Sequence, residues 1–163
     1  QVGDVRKTEF EDDYFDGYWS LGVIEHFYDG YDEILEEMKR IIKPGGYLFL
    51  TFPVMSKFRK VKARSEKYPD WSEENDLIKD FYQFALPEEE LRTRLTEKGF
   101  SYISKQNTSA FKGLKDEIMI FRPFMQKIYD SQNLLAKLVK LTVGILCNRF
   151  SPHMVLMVFR KES

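Results

Sequence analysis

Residues Asp16 to Pro53 constrain the fold more strongly than any other part of this chain. A short apolar run ending at Leu21 is followed by residues with helical spacing, and Tyr47 to Phe52 is then almost continuously apolar. Because a parallel strand that is covered on both faces is apolar along its whole length, we predict such a strand over Tyr47–Phe52. The stretch as a whole predicts a βαβ unit with a right-handed crossover.

The predicted helix of this unit has one apolar stripe and charged ends. Asp29 or Asp32 is predicted to cap its start. Pro44-Gly45-Gly46 is predicted to end it, because proline cannot extend a helix and glycine readily adopts a left-handed turn. The stripe consists of Ile34, Leu35, Met38, Ile41 and Ile42.

Several short motifs in and around this unit resemble the central part of the class I S-adenosylmethionine-dependent methyltransferases. The motifs are Gly3-Asp4, Phe15-Asp16, Ile24-Glu25-His26 and Arg40 to Gly46. The resemblance implies an α/β fold with a Rossmann-like sheet and a helical insertion before the last, antiparallel strand. It divides the chain into part of the α/β domain (1–107), the insertion (108–152) and the last strand (153–163).

The glycine-rich loop of that family, which follows the first strand of its domain, has no counterpart in these 163 residues. The resemblance therefore implies a partial sheet made of the C-terminal strands. We expect this chain alone to bind S-adenosylmethionine weakly or not at all, and to be inactive unless a homodimer or an N-terminal part completes the pocket. A second hypothesis is a non-catalytic methyltransferase-like fragment that serves as a dimerisation or partner module.

The resemblance also implies which residues contact the cofactor. In doubly wound sheets, ligands bind beyond the carboxyl ends of the strands. We predict that residues 1–6 form the end of a strand, with Asp4 accepting a hydrogen bond from the adenine amine; the alternative is a plain turn carboxylate. The cofactor-binding candidates are Asp4, Val5, Ser20, Leu21, Gly22 and Glu25.

His26 is the catalytic candidate, because histidine can act as a general base near neutral pH. By resemblance its turn lies near the sulfonium and the acceptor. The alternative is a polar pair, Glu25-His26, that only holds the loop in shape, since methyl transfer can proceed by positioning alone. No metal is predicted, because Gly22 replaces the first glutamate of the Glu-x-x-Glu-His pattern of metal-binding relatives.

The segment after the βαβ unit contains a basic run from Lys57 to Lys67. It is either a lid that attracts an anionic substrate or a solvated helix face balanced by Glu73, Glu74 and Asp76. Further along, Pro87 is predicted to start a helix with Leu91 and Leu95 facing inward and Gly99 at its end. A strand is predicted to follow over Phe100–Lys105.

Residues 112–150 are predicted to be a helical insertion that Pro123 divides in two. A broad apolar face in its second part is compatible with packing inside the chain, a subunit interface, a cover for the acceptor or contact with a membrane. This face consists of Leu134, Leu135, Leu138, Leu141, Thr142, Ile145 and Leu146. The final strand is predicted over His153–Arg160, with His153 in a structural or surface role.

Composition narrows the function classes. A formal net charge of −1 argues against a general nucleic-acid-binding protein. The single cysteine excludes an intramolecular disulfide, and the longest apolar stretch is shorter than the about 20 residues of a membrane-spanning helix. No signal peptide is visible, so a cytoplasmic location is the default. The acceptor is predicted to be a small molecule or a lipid-like one, whereas the basic run favours an anionic one.

Overall fold

The computed structural model of the chain describes residues 2–65, 68, 79 and 81–163. Its strands lie in one sheet in the order β1-β2-β4-β3. The strands are β1 (Phe15–Leu21), β2 (Ile42–Pro53), β3 (Phe100–Thr108) and β4 (Met154–Lys161). The helices are α1 (Asp32–Ile41), α2 (Lys57–Arg64), α3 (Glu88–Glu97), α4 (Ala110–Glu117), α5 (Arg122–Asp130) and α6 (Leu134–Cys147), with short 3-10 turns at Ile24–His26 and Met119–Phe121.

The predicted βαβ unit is confirmed. Strands β1 and β2 pair in parallel, with Tyr18 opposite Leu48 and Ser20 opposite Leu50, and α1 connects them. The predicted apolar stripe is buried: Ile34, Leu35, Met38 and Ile41 of α1, and Ile42 at the start of β2, are each at most 1% exposed. Hydrophobic burial of this stripe is what holds the helix to the chain.

Both ends of α1 differ from the prediction. Tyr31 occupies the N-cap position, and neither Asp29 nor Asp32 caps the helix with its side chain. The helix ends at Ile41 and strand β2 begins at once, so Pro44-Gly45-Gly46 lies inside the assigned strand rather than at the helix end. Gly45 has a φ of +80°, which bends the strand start, and this left-handed conformation is the one that glycine tolerates best.

The last strand runs antiparallel to both of its neighbours. The amide of Glu162 donates to the carbonyl of Gly99, and the amide of His153 donates to the carbonyl of Thr108, which sets β4 against β3. The amide of Val54 donates to the carbonyl of His153 on the other side. Because α4, α5 and α6 lie between β3 and β4 in the chain, the predicted fold class is confirmed: a partial Rossmann-like sheet with a helical insertion before an antiparallel last strand.

The chain forms two compact units. The first contains Gln1–Pro53, Tyr82–Gln106 and Leu156–Ser163, and the second contains Val54–Phe81 and Asn107–Val155. The division into segments 1–107, 108–152 and 153–163 stays a prediction.

One face of the first unit's sheet is exposed. Leu48, Leu50 and Phe52 alternate along β2 and are fully buried, whereas Phe49 and Thr51 between them are half-buried and the preceding Tyr47 is 42% exposed. Trp19 of β1 is 61% exposed. The expectation that β2 is covered on both faces is therefore wrong for the part of the chain that the structure describes, and the alternation shows a strand buried on one side.

The predicted strand at the start of the chain is absent from residues 2–6. The chain instead makes a tight turn, in which the Lys7 amide donates to the Asp4 carbonyl at 3.1 Å. The Arg6 amide also donates to the Asp4 carboxylate at 2.9 Å. Local bonds from an aspartate side chain to nearby backbone compete with strand pairing, which accounts for the turn.

The later elements follow the prediction more closely. Leu91 and Leu95 of α3 are fully buried, and Gly99 follows the helix with a φ of +88°. Strand β3 extends to Thr108, beyond the predicted end. The three acidic residues that were expected to balance the basic run, Glu73, Glu74 and Asp76, lie outside the described residues. Lys67 of the run also lies outside them.

The second unit contains a buried ion-pair cluster that the sequence did not indicate. Arg59 of α2 donates to a Glu117 carboxylate oxygen at 2.8 Å, and both side chains are 8% exposed. Lys62 and Tyr68 donate to the other oxygen of Glu117, at 2.7 and 2.6 Å. The solvated-face interpretation of the basic run is therefore wrong for Arg59 and Lys62.

The helical insertion has three α-helices where two were predicted. Its last helix, α6, begins after Asn133, whose side chain accepts a hydrogen bond from the Ala136 amide at 2.7 Å. The helix packs on α4 and α5 through a side that carries Ala136, Val139 and Val143, whereas the predicted broad apolar face is not packed within the described chain.

Candidate cofactor site at the end of the first strand

The carboxyl end of β1 turns sharply at Gly22. Its φ is +68°, a left-handed value that costs glycine little, and its amide donates to the carbonyl of Thr51 in β2 at 3.0 Å. Ser20, two residues earlier, is buried, whereas Leu21 is exposed. The turn therefore leads the chain away from the sheet at the edge where ligands bind in open α/β folds.

Glu25 follows in the 3-10 turn and is 2% exposed. Its backbone carbonyl accepts a hydrogen bond from the Phe84 amide at 2.9 Å. Within the part of the chain that the structure describes, its Oε2 atom and the Oγ atom of Ser20 are buried without a hydrogen-bond partner. Burial raises the pKa of Glu25, because desolvation disfavours the charged carboxylate.

Two such buried and unsatisfied oxygens, one near the end of β1 and one in the turn that follows, are unusual, since buried polar groups nearly always have partners. Leaving a buried acceptor unpaired costs about 1–3 kcal/mol, and more for a charged group. Ser20 and Glu25 therefore each hold an oxygen whose hydrogen-bonding capacity the described residues leave unused.

His26 lies next to this pair and is exposed. Its Nδ1 atom is 2.7 Å from the Tyr82 carbonyl oxygen, and the two rings meet edge to face with centroids 4.9 Å apart. A carbonyl can only accept, so Nδ1 carries the proton and Nε2 keeps its lone pair. In this tautomer, Nε2 can take a proton from a reacting group.

Asp4 belongs to the tight turn near the start of the chain. Hydrogen bonds from the Arg6 guanidinium, at 2.6 to 3.1 Å, lower the pKa of Asp4 to about 2. The Arg6 guanidinium also lies 5.6 Å from the centroid of the Phe27 ring, which places the turn beside the loop that follows His26. Val5 is half-buried.

Gly22, Glu25 and His26 thus lie in the turn that follows β1, Ser20 is the buried residue near the end of that strand, and Asp4 lies in a separate turn. Sequence reasoning missed the backbone groups of Tyr82 and Phe84, which hold His26 and Glu25 in place. Backbone contacts across about 60 residues leave no motif, so no sequence signal pointed to them.

Residues 1–50 match the family model described as a methyltransferase domain. No curated protein sequence matches the chain. Three solved structures resemble it: a methyltransferase dependent on S-adenosylmethionine from Archaeoglobus fulgidus, an assigned sarcosine dimethylglycine methyltransferase from Galdieria sulphuraria, and phosphoethanolamine N-methyltransferase 2 from Haemonchus contortus in complex with S-adenosyl-L-methionine.

Their sequence identities to the chain are 15%, 18% and 17%, and their TM-scores are 0.58, 0.54 and 0.53, in the same order. The alignments cover 98%, 99% and 98% of this chain, but only 66%, 58% and 36% of the respective structures. The resemblance recognised in the sequence is confirmed: the chain has the fold of class I S-adenosylmethionine-dependent methyltransferases, and its first 50 residues carry the match to their domain.

Proposed function

We propose that this chain forms part of an S-adenosylmethionine-dependent methyltransferase and that the turn from Ser20 to His26 faces the cofactor and the acceptor. The observation that carries the proposal is the pair of buried, unpartnered oxygens of Ser20 and Glu25 at the carboxyl end of β1. The match of residues 1–50 to a methyltransferase domain supports it.

The chemistry of S-adenosylmethionine suits this turn. The molecule carries a positive sulfonium, an ammonium group and ribose hydroxyls, all of which can satisfy an oxygen acceptor or a buried carboxylate. Ser20 and Glu25 would hold these groups, and Gly22 leaves room because it has no side chain. Asp4 and Val5 remain the proposed adenine contacts, with Arg6 as the present partner of the Asp4 carboxylate.

When bound, S-adenosylmethionine supplies an electrophilic methyl carbon whose sulfur leaves as a neutral thioether. The residues of the chain then have two tasks. Glu25 and Ser20 fix the orientation for in-line attack, which is a proximity effect of the kind that lowers barriers most effectively. His26 accepts the proton of the acceptor at Nε2, while Tyr82 keeps the ring in the required tautomer.

The acceptor proposed for this site is a small or lipid-like molecule. The phosphoethanolamine N-methyltransferase that shares the fold acts on a small phosphorylated amine, as its name states, and this is one supporting analogy.

Ligand-observed NMR with S-adenosylhomocysteine tests the proposal on the 163-residue chain. No glycine-rich loop is present in this sequence, so we expect weak binding: saturation transfer should be visible, while calorimetry should show no low-micromolar affinity. Glu25→Gln should remove most of the signal, because a neutral amide cannot form an ion pair with the ammonium group of S-adenosylhomocysteine.

Glu97→Gln is the matched control, since Glu97 is an exposed carboxylate at the end of α3 in the same unit. It should leave the NMR signal unchanged. Absence of saturation transfer in the unaltered chain would contradict the proposed site. Low-micromolar binding by a monomer would instead contradict the expectation that the chain alone has an incomplete pocket.

A non-catalytic partner or dimerisation module is the second candidate. The exposed sheet face favours it, because Trp19 and Tyr47 form apolar surface of the kind that binds other chains. Sedimentation equilibrium separates the two: a stable dimer without any contact to S-adenosylhomocysteine would favour the module.

A further inference from the structure

Helix α6 presents large apolar side chains to solvent along most of its length. Leu134, Leu138, Leu141 and Ile145 follow one another at spacings of four, three and four residues, so they lie in one stripe of the helix. Their exposed fractions are 74%, 51%, 60% and 69%. Leu135 and Leu146 widen the stripe and are also exposed. We call these six residues the α6 stripe.

A second exposed apolar group lies earlier in the same unit. It consists of Met119, Ile120, Phe121 and Phe124, all more than half exposed. Isolated exposed leucines are ordinary, but exposed apolar side chains clustered in this way mark a surface that binds something. The face of α6 opposite the stripe is already used, because it packs on α4 and α5.

The positive charge of the segment that carries the α6 stripe indicates what kind of surface would bind it. Residues 107–155 contain seven lysines and arginines and three acidic residues, a net charge of +4, although the whole chain carries −1. The sequence has no acidic residue between Asp130 and Glu162. Lys137 within α6 and Arg149 just after it are exposed, and no carboxylate among the described residues pairs with either. The unit therefore combines apolar surface with unneutralised positive charge.

A second copy of the chain fits this surface poorly. In a two-fold dimer the same patch meets itself, so Lys137 and Arg149 of one copy would approach those of the other. No acidic residue within α6 could offset the repulsion. An anionic lipid headgroup layer supplies the missing negative charge, while its acyl boundary receives the leucines.

The length of α6 fixes how it would lie. Its 14 residues span about 21 Å at 1.5 Å per residue, which is short of the about 30 Å of a bilayer's hydrocarbon core. Among the described helices, none is long and apolar enough to cross a membrane. A helix of this kind lies flat in the interface, with its lysines directed towards the headgroups.

We propose that the α6 stripe docks this chain on the surface of an anionic phospholipid bilayer, with Lys137 and Arg149 contacting the headgroups. The proposal is independent of methyl transfer, because it requires neither the cofactor nor the turn around Glu25. It concerns the surface on which the chain binds, whereas the previous proposal concerns the reaction.

Flotation with phospholipid vesicles tests the proposal on the full chain. We expect the chain to float with vesicles of phosphatidylcholine and phosphatidylglycerol, to bind vesicles of phosphatidylcholine alone much less, and to dissociate as salt is added. The double variant Leu138→Ser/Leu141→Ser should bind at least about tenfold more weakly, since two large apolar anchors are lost. Lys137→Glu should weaken binding to the vesicles that contain phosphatidylglycerol and leave binding to the phosphatidylcholine vesicles unchanged.

A matched control keeps the result interpretable. Val61→Ser/Ile103→Ser removes two other apolar side chains, which are 57% and 52% exposed and lie outside α6. It should bind like the unaltered chain. All variants change exposed positions, so circular dichroism and melting temperature should show that each one is folded.

Three outcomes would overturn the proposal. The first is no flotation with either kind of vesicle. The second is equal binding by the Leu138→Ser/Leu141→Ser variant and the unaltered chain, or equal binding to both kinds of vesicle. The third is a dimer in sedimentation that the double variant converts to a monomer without any vesicle binding, which would show that a second copy covers the stripe.

Discussion

The indole of Trp19 stacks on the ring of Phe49, with centroids 4.1 Å apart and planes inclined by 8°. The two residues are register partners on neighbouring parallel strands β1 and β2. Their contact therefore lies on the sheet face that the described chain leaves exposed. The stack gives that face a flat aromatic surface in place of a polar one.

A double-mutant cycle should show that this stack stabilises the sheet. Aromatic pairs contribute about 0.5–1.5 kcal/mol beyond their burial, so Trp19→Ala and Phe49→Ala should couple by about 1 kcal/mol in urea unfolding. Tyr47 and Phe49 provide the comparison, because their rings are 6.4 Å apart and should couple less. Equal coupling in the two cycles would contradict a specific role for the stack.

Two helical glycines should respond to alanine in opposite directions. A Cβ atom on Gly113 of α4 would lie 2.1 Å from the carbonyl oxygen of Ser151, so Gly113→Ala should destabilise the chain by about 1–3 kcal/mol or more. A Cβ atom on Gly144 of α6 would meet nothing within 4 Å. Gly144→Ala should therefore stabilise the chain by about 0.5–1 kcal/mol, the usual helix preference for alanine. Thermal and urea unfolding of both variants measure the difference.

Removing the carboxylate at the centre of the buried cluster should be costly. Burial alone would raise the pKa of Glu117, but hydrogen bonds from Arg59, Lys62 and Tyr68 lower it below its ordinary value. Glu117→Gln leaves the Arg59 guanidinium buried without a counter-charge and should cost about 3–5 kcal/mol of unfolding free energy. In the control Glu36→Gln, the carboxylate that is lost from the pair with Lys98 is 61% exposed, so the change should cost no more than about 1 kcal/mol. Comparable losses would show that the cluster is not buried in solution.

Acid should destabilise the chain partly through His153. Burial, followed by the charges of Lys112 and Arg59, lowers the pKa of His153 from 6.5 to about 4 in the folded state. Between these values the unfolded chain binds more protons than the folded one, so stability falls as the pH decreases from about 6.5 to about 4. The shift corresponds to about 3 kcal/mol.

The chain's two histidines provide an internal control for this prediction. The difference in unfolding free energy between pH 7 and pH 4 should shrink in His153→Gln. It should persist in His26→Gln, because His26 is exposed and its hydrogen bond to the Tyr82 carbonyl lies at the surface. An unchanged pH dependence in His153→Gln would mean that this imidazole is not buried neutral.

Local patterns predicted most of the α/β core. The spacing of Ile34, Leu35 and Met38 places one helix face on the sheet, and short-range hydrophobic periodicity is sufficient for that inference. The end of β1 at Leu21 could also be predicted, because the apolar run of the sequence stops there. The βαβ unit could therefore be predicted from the sequence alone.

Features that depend on distant partners were not predictable in the same way. Arg59 and Glu117 are 58 residues apart, and nothing near either of them indicates a buried pair. The turn at Asp4 is held by a hydrogen bond from the Arg6 amide to the Asp4 carboxylate. This local bond competes with backbone pairing to a neighbouring strand, and the sequence does not show which of the two is formed. In α6, the apolar pattern identified a stripe but could not show whether the chain itself covers it, since burial depends on the whole tertiary arrangement.

The position of β4 between β2 and β3 determines how the molecule must assemble. Arg160 of β4 donates to the carbonyl of Gly45 across 115 residues, so the middle of the sheet closes only after the whole helical insertion has been passed. Until β4 has paired with them, β2 and β3 each have an edge with unpaired backbone N–H and C=O groups on the side that β4 occupies in the folded chain. Pairing between residues so far apart in sequence is slow, so aggregation through these two strand edges competes with folding until β4 has inserted.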